Sequence, residues 1–305
     1  MGEKYTLVSF GEGSYSYTCA KMFAERLGNS EISSEASIEG IASRVNGNSL
    51  GVIAYYNTHD KQLRHDCLDI IIDESLRIIA SERVLVRLAI AKHPSDNAPN
   101  TVYSLPRVIR HVSHHLERLF PNATFSRVES TAESIKRVQE TGKGVAIADY
   151  EKMNSLGFDM LVRNASESYT DFLLVCQGDK EALHAEEYLS MLAIQPRLWT
   201  SDYRKTKKWI IDKISDCGLT ITKCHAPPEP PQDTLPMLYF ELNAHEKNSK
   251  CFDLVAALSK NVPEGCTLER IQFIGSYCNP TPGRVGSSAM LPAVKDKLPP
   301  ENLLT

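Results

Sequence analysis

Apolar and polar positions alternate from Tyr5 to Phe10, and the segment Gly11-Glu-Gly13-Ser14-Tyr15-Ser16 then opens a helix-period pattern that runs to about Leu27. This predicts a strand, a tight turn and a helix capped by Ser14 or Ser16. The first N–H groups of that helix would face whatever sits above the strand end. Further along, residues 37–45 read as a helix, 51–56 as a buried strand, and 66–72 as a helix. Strands follow around 78–79 and 84–91, and Val102-Tyr103 leads through Pro106 into a helix ending before Pro121. A strand at 125–128, a helix at 132–140 and short apolar strands at 145–148 and 172–175 complete this part. Strands alternating with helices predict an α/β fold with a mainly parallel sheet and ligands at the strand ends.

Around Gly178-Asp179-Lys180 the apolar pattern lapses into a charged stretch read as helical, which marks a domain junction. Beyond it come a strand at 192–198, an amphipathic helix at 204–217 ended by Gly218, and strands at 219–224 and 237–242. A proline-rich turn at 226–236 separates those two strands, and a helix at 252–258 and a strand at 270–277 close the series. The order is βαββαβ, one ferredoxin-like unit. The division expected is therefore residues 1–180, 186–280 and a proline-rich tail, 281–305. A length of 305 residues suits two domains.

Charge and composition narrow the function. The net charge of −4, without a long run of like charge, argues against nucleic-acid binding, which needs a concentrated basic face. No apolar stretch reaches the ~18–20 residues that span a bilayer, and the first residues lead directly into a strand pattern, so a cytoplasmic protein without a membrane partner is expected. The eight cysteines form no C-x-x-C pair and read as reduced thiols. His111, His114 and His115 share one helix face, but no carboxylate or fourth ligand accompanies them. They are read as a solvated face, and no metal is expected. Asp149 and Glu133 are read as ordinary surface charges.

Several ordered pieces together resemble the prephenate dehydratase family. Ser9-Phe-Gly-Glu-Gly-Ser-Tyr-Ser16 is similar to its opening glycine turn, and Val52-Ile-Ala-Tyr-Tyr-Asn57-Thr58 to its strand ending in Glu-Asn-Ser/Thr. Tyr103-Ser104-Leu105-Pro106-Arg107 falls where the family has Ser-His-Pro-Gln, and Glu129-Ser130-Thr131-Ala132 matches its Ser-Thr-Ala segment. Thr170-Asp171-Phe172 falls where it has Thr-Arg-Phe, and the βαββαβ unit resembles the ACT domain fused to many members. The resemblance implies a two-lobed catalytic domain, like a type II periplasmic binding protein, that closes on a small dicarboxylic substrate. It implies Thr170, Thr131 and Ser104 as catalytic residues. Gly13, Ser14, Asn57, Thr58, Arg107, Ser130, Ala132, Asp171 and Phe172 would bind prephenate or a close analogue such as arogenate. No cofactor is implied, and the ACT-like part would hold a homodimer or homotetramer together.

Departures from the family pattern bear on the reaction. Asp171 stands where the family has Arg, and a charge pair at ~4 Å is worth roughly 4 kcal/mol at an effective dielectric of 20. If residue 171 met the substrate, attraction would become repulsion. Either Asp171 turns to solvent or pairs locally, or Arg107 pairs with it or supplies the lost charge. Tyr56 replaces a Glu, and Leu105 a His. Cys224-His225-Ala226-Pro227 replaces the Glu-Ser-Arg-Pro ligand motif of the ACT domain, so phenylalanine feedback is expected to be lost. The reading that follows is a prephenate decarboxylase that retains the ring hydroxyl. Its alternatives are an ordinary dehydratase giving phenylpyruvate, or a non-catalytic metabolite binder.

Overall fold

A computed structural model describes residues 4–183, 187–199, 203–226, 237–260, 262–263 and 266–278. The tail at 281–305 and most of the turn at 226–236 lie outside the described residues. The chain begins with β1 (Tyr5–Phe10), α1 (Tyr15–Leu27), β2 (Ser30–Glu35), α2 (Ile38–Ser43) and β3 (Ser49–Asn57). Then come β4 (Gln62–Leu63), α3 (His65–Asp73) and the long β5 (Leu76–Lys92). β6 (Thr101–Ser104), α4 (Pro106–His111), α5 (Ser113–Leu119), β7 (Thr124–Arg127), α6 (Thr131–Thr141), β8 (Val145–Asp149) and α7 (Tyr150–Ser155) follow. The 19-residue β9 (Asp159–Gln177) returns.

These elements form two lobes. In one, β2, β1 and β3 pair in parallel under α1, α2 and α3. In the other, β7, β6 and β8 pair in parallel beside α4 to α7. β5 and β9 run antiparallel to one another through both lobes. Their inner halves meet β3 through β9, and the outer half of β5 meets β8. The sheet is therefore mixed, not mainly parallel as the sequence pattern suggested.

The two crossing strands also explain the strand boundaries that differ. The polar run Ser81-Glu82-Arg83 reads as a break, yet β5 continues through it. Glu82 ion-pairs with Arg26 of α1, and Arg83 with Asp171 of β9, so neither charge is stranded. β9 carries Glu167, Ser168 and Thr170, a polar stretch with no apolar alternation, and is held by its ladder to β5 instead. The helix expected after Pro106 breaks at Val112, whose backbone leaves the helical region. The described residues of the stretch after Gly178 are not helical.

The rest comprises β10 (Tyr188–Trp199), α8 (Tyr203–Asp216), β11 (Ile221–His225), β12 (Leu238–Leu242), α9 (Ser249–Leu258) and β13 (Cys266–Cys278). The antiparallel order β11-β12-β10-β13 is that of a ferredoxin-like unit, as expected. One face of this sheet packs under α8 and α9 through Leu192, Phe240, Ile210 and Leu254. The other is buried against α2 and α3, where Met191, Tyr239 and Tyr277 share a core with Ile41, Leu68 and Ile71. β13 also joins β5 edge to edge at Gly275–Ile78. Gly275 is required there: its φ is +138°, and a Cβ would lie 2.1 Å from the Ile78 carbonyl oxygen. The chain thus folds around one continuous sheet.

Candidate active site

Between the lobes lies a cleft of about 880 Å³ when the open solvent at its mouth is counted. The first lobe contributes Ser14, Ala54, Tyr56 and Asn57; the second contributes Leu105, Arg107, His111, Ser130 and Thr131; Ser168, Thr170 and Phe172 come from β9. Two helices begin at its wall. Ser14 caps α1 by accepting from Tyr17 N–H, and Ser130 caps α6 by accepting from Glu133 N–H. Glu133 Oε2 in turn accepts from Glu129 N–H at 2.8 Å, one residue before the cap, which ties the turn to the helix start. The two ends approach each other closely: a Cβ on Gly13, at φ +89°, would sit 3.8 Å from that of Ala132. Helix N-termini of this length attract anions through their free N–H groups.

The strand register sets what faces the cleft. Asn57 of β3 is opposite Thr170 of β9. Its amide donates to Thr170 Oγ1 at 2.8 Å and to Ser168 Oγ at 3.2 Å, while its own carbonyl accepts from His59 N–H. Successive residues on a strand face opposite ways, so Thr170 and Phe172 face the cleft and Asp171 faces away. Asp171 is fully buried, clamped by Arg83 at 2.5 and 2.8 Å, with Lys223 of β11 at 3.4 Å. Of the alternatives open for Asp171, local pairing is the one found; the pairing with Arg107 and a place among the substrate-binding residues are corrected. Asp171 takes no part in the cleft because strand alternation carries it to the interface with the ferredoxin-like unit.

That interface holds a closed charge network. Lys223 Nζ bonds Glu241 at 2.8 and 3.0 Å and lies over the Tyr56 ring at 4.8 Å. Glu241 also accepts from Tyr55, Tyr277 and Thr222, at 2.8, 2.8 and 2.6 Å. Two carboxylates and two cations balance, and each carboxylate is hydrogen-bonded, which buried charges require. Burial pushes the Tyr55 and Tyr277 hydroxyls well above the ordinary tyrosine value, so both remain donors.

Arg107 lies in the cleft wall with no hydrogen bond or ion pair among the described residues. Burial, and then the neighbouring Arg64, lower its pKa to about 10. Asp66 and Asp60 offset this in part from beyond ion-pair distance, which leaves the guanidinium donors able to meet an anion in the cleft. Beside it, His111 Nε2 lies 2.9 Å from Asp60 Oδ1, and the His59 ring stacks on His111 at 3.9 Å. His59, Asp60 and His111 offer ligand atoms within 4.8 Å of one another. The Asp60–His111 hydrogen bond and the two adjacent guanidinium groups fit a hydrogen-bonded pair rather than a cation site. His111 is buried, not part of a solvated face with His114 and His115, which pack on each other at 3.8 Å.

Four other expected site residues stand back from the cleft wall. Thr58 holds Tyr169 through its N–H and hydroxyl at 2.9 and 2.8 Å. Ser104 is fully buried at the end of β6, with no hydrogen-bond partner for its hydroxyl among the described residues. Gly13 and Ala132 shape the approach of the two helix ends. Asp149 caps α7 and accepts from Tyr15 at 3.2 Å. Sequence reasoning missed Tyr15, Asp60 and Arg64; the His59-Asp60 pair just beyond the Asn57 strand end is a signal that could have pointed to Asp60. In the ferredoxin-like unit, Cys224 is exposed and His225 stacks on His65 of α3 at 4.3 Å. Burial and then His65 push His225 down to about 4.

A two-lobed α/β protein with crossing strands and a cleft between the lobes is the class these features define. A family model described as prephenate dehydratase matches residues 10–180. The chain belongs to the prephenate dehydratase family. No curated protein matches it by sequence. Among solved structures it is similar to the prephenate dehydratase of Staphylococcus aureus subsp. aureus Mu50, at 15% identity and TM-score 0.63, covering 90% of this chain and 99% of that one. It is likewise similar to the prephenate dehydratase from Arthrobacter aurescens in complex with L-Phe, at 15% identity and TM-score 0.65, covering 91% and 90%. GqqA, described as a novel type of quorum quenching acylase, shares the fold at 14% identity and TM-score 0.59, covering 92% and 98%. One fold carrying different chemistries leaves the reaction to be argued from the cleft.

Proposed function

We propose that this protein is a lyase that removes carbon dioxide from prephenate, and that the ring hydroxyl leaves with it to give phenylpyruvate. The observation that carries this reading is Thr170, held in the cleft by Asn57 with its hydroxyl hydrogen free to donate. Across the cleft, Arg107 and the N-termini of α1 and α6 provide cationic and N–H partners for two carboxylates. The apolar wall of Val86, Leu88, Leu105 and Phe172 suits the ring and disfavours an ionised ring carboxylate, which promotes its loss. The replacement at 171 had favoured a hydroxyl-retaining decarboxylase; with Asp171 outside the cleft, that argument lapses. A second reading rests on Leu105 and Tyr56, which put an apolar and a phenolic group where the family pattern has His and Glu. Fewer polar groups at the cleft would favour decarboxylation with the hydroxyl kept.

Product analysis of the purified protein with prephenate, and separately with arogenate, tests these readings against the non-enzymatic background. Phenylpyruvate formed at the rate of carbon dioxide release supports the dehydratase; carbon dioxide without phenylpyruvate supports the decarboxylase. No turnover would mark a non-catalytic binder. Replacing Arg107 by glutamine should weaken substrate binding by about 10- to 100-fold, the loss expected for a charge-assisted contact worth ~1.5–3 kcal/mol, with kcat less affected. Steady-state kinetics with calorimetric Kd values would show this.

The division into residues 1–180, 186–280 and 281–305 belongs to the same proposal, as does an ACT-like role for the second unit in holding a homodimer or homotetramer. We infer that this unit packs rather than senses phenylalanine, because His225 of the replaced ligand motif is engaged with His65 of α3. Millimolar phenylalanine should leave the thermal midpoint unchanged. A native-state ligand at a hundred times its Kd would add about 2.7 kcal/mol, so saturable stabilisation would refute this.

A further inference from the structure

Loss of carbon dioxide from prephenate consumes one proton whichever product forms. When the C–C bond to the ring carboxylate breaks, its electron pair enters the ring. If that pair expels the hydroxyl, a proton must join the leaving oxygen to make water. If the hydroxyl stays, a proton must join a ring carbon instead. Thr170 can donate a hydrogen bond but, as an alcohol, does not give up its proton near neutral pH. Tyr15 and Tyr56 also line the cleft, and burial raises both above the ordinary phenol value. Arg64 and Arg107 remain cations. Glu129 is exposed at the rim. That leaves the pair formed by His111 and Asp60.

We propose that His111 delivers this proton, with Asp60 fixing its imidazole; the inference rests on the prephenate-lyase reading above. Asp60 engages Nε2 at 2.9 Å, which leaves Nδ1 without a hydrogen bond among the described residues. The charged and titratable groups facing His111 are Asp60 and His59 from the turn after β3 and Arg107 from α4, with Arg64 behind Asp60 at the start of α3. In the free protein, burial holds His111 below the ordinary histidine value, and the hydrogen bond it donates to Asp60 offsets this in part. A dianionic substrate beside it favours the charged imidazolium, so binding recruits the proton that the reaction then spends. After transfer His111 is neutral, Asp60 is still ionised, and carbon dioxide and either water or the protonated ring product leave.

Two measurements test this. Calorimetric titration with a dicarboxylate analogue of prephenate that cannot lose carbon dioxide, in buffers of different ionisation enthalpy, should show uptake approaching one proton per site near pH 7 in the native protein, and almost none in His111→Asn, which keeps a donor for Asp60 but carries no titrating proton. The kcat/KM of the native protein should fall tenfold per pH unit above the free His111 pKa. That limb should be absent in His111→Asn, whose kcat should drop about 10²- to 10⁴-fold. Asp60→Asn should move the limb to lower pH, since the carboxylate favours the charged ring. Native turnover with an unaltered pH limb and unaltered proton uptake in His111→Asn would overturn the assignment while leaving the lyase intact. Absence of turnover in the native protein would overturn the lyase reading itself.

Discussion

Replacing Thr170 by valine should lower phenylpyruvate formation by about 10²- to 10³-fold, the usual cost of removing one donor aimed at charge that develops in a transition state. Valine matches threonine in shape, so packing beside Phe172 would be kept and only the hydroxyl lost. Asn57 donates to Thr170 Oγ1 at 2.8 Å, which uses a lone pair and directs the hydroxyl hydrogen elsewhere. In the dehydratase reading it is directed at the leaving oxygen. The variant should then bind prephenate within a few-fold of the native Kd, because the interaction strengthens only as the C–O bond breaks. Carbon dioxide release should fall less than phenylpyruvate formation, with a hydroxyl-retaining product appearing in the difference. Thr170→Ser, which restores the donor, should recover most of the activity. Chromatographic product ratios from the two variants decide the matter. Equal losses of carbon dioxide and phenylpyruvate would mean that Thr170 governs decarboxylation as well. No loss at all would remove it from the mechanism.

Thr170 and Asn57 were legible through the resemblance of their motifs to the family pattern; Asn57 ends β3, whereas Thr170 lies opposite it in the interior of β9. The capping residues Ser14 and Ser130 were legible for a local reason: a small hydroxyl before an apolar period announces a helix start. What lay hidden was anything set by long-range pairing. Asp171 looked like a cleft residue because its neighbours on either side are cleft residues; only the alternation of β9 against β3 shows that it faces the other way. β5 and β9 were read as fragments because Glu82, Arg83 and Glu167 interrupt their apolar pattern. These charges find partners on strands or helices between 56 and 88 positions away, which no local period can reveal. His111 was grouped with His114 and His115 by helical spacing. The chain bends at Val112, and only His111 reaches the cleft, where Asp60 meets it from 51 positions away.

Lys223→Met should destabilise the fold by about 3–5 kcal/mol, because removing one partner from a buried ion pair leaves an uncompensated charge. Here it would leave Asp171 paired with Arg83 and Glu241, also fully buried, with hydrogen bonds from Tyr55, Tyr277 and Thr222 but no ion pair among the described residues. Asp171→Asn should cost less, since the amide can still accept from Arg83 and its loss relieves a negative charge when Lys223 is also gone. The double variant Asp171→Asn with Lys223→Met should therefore be more stable than the sum of the single effects predicts, with a coupling of about 1–3 kcal/mol. Asp171→Arg, which would restore the family residue, should be worse than either single change: it sets a third cation beside Arg83 and Lys223 in a site closed to solvent. Chemical denaturation of the four proteins of the cycle measures this coupling. The parallel cycle of Asp171→Asn with Arg107→Gln should be additive within ~0.5 kcal/mol, as expected when one residue, on β9, faces away from the cleft and the other, on α4, lines it. Additivity in the first cycle would show that Lys223 and Asp171 are neighbours without energetic contact. Coupling confined to it would account for the substitution at 171 as an adaptation to the packed ferredoxin-like unit. Lys223 of β11 is the counter-charge that an arginine at this position would repel. The acidic residue then belongs to the joint between the two halves of the chain.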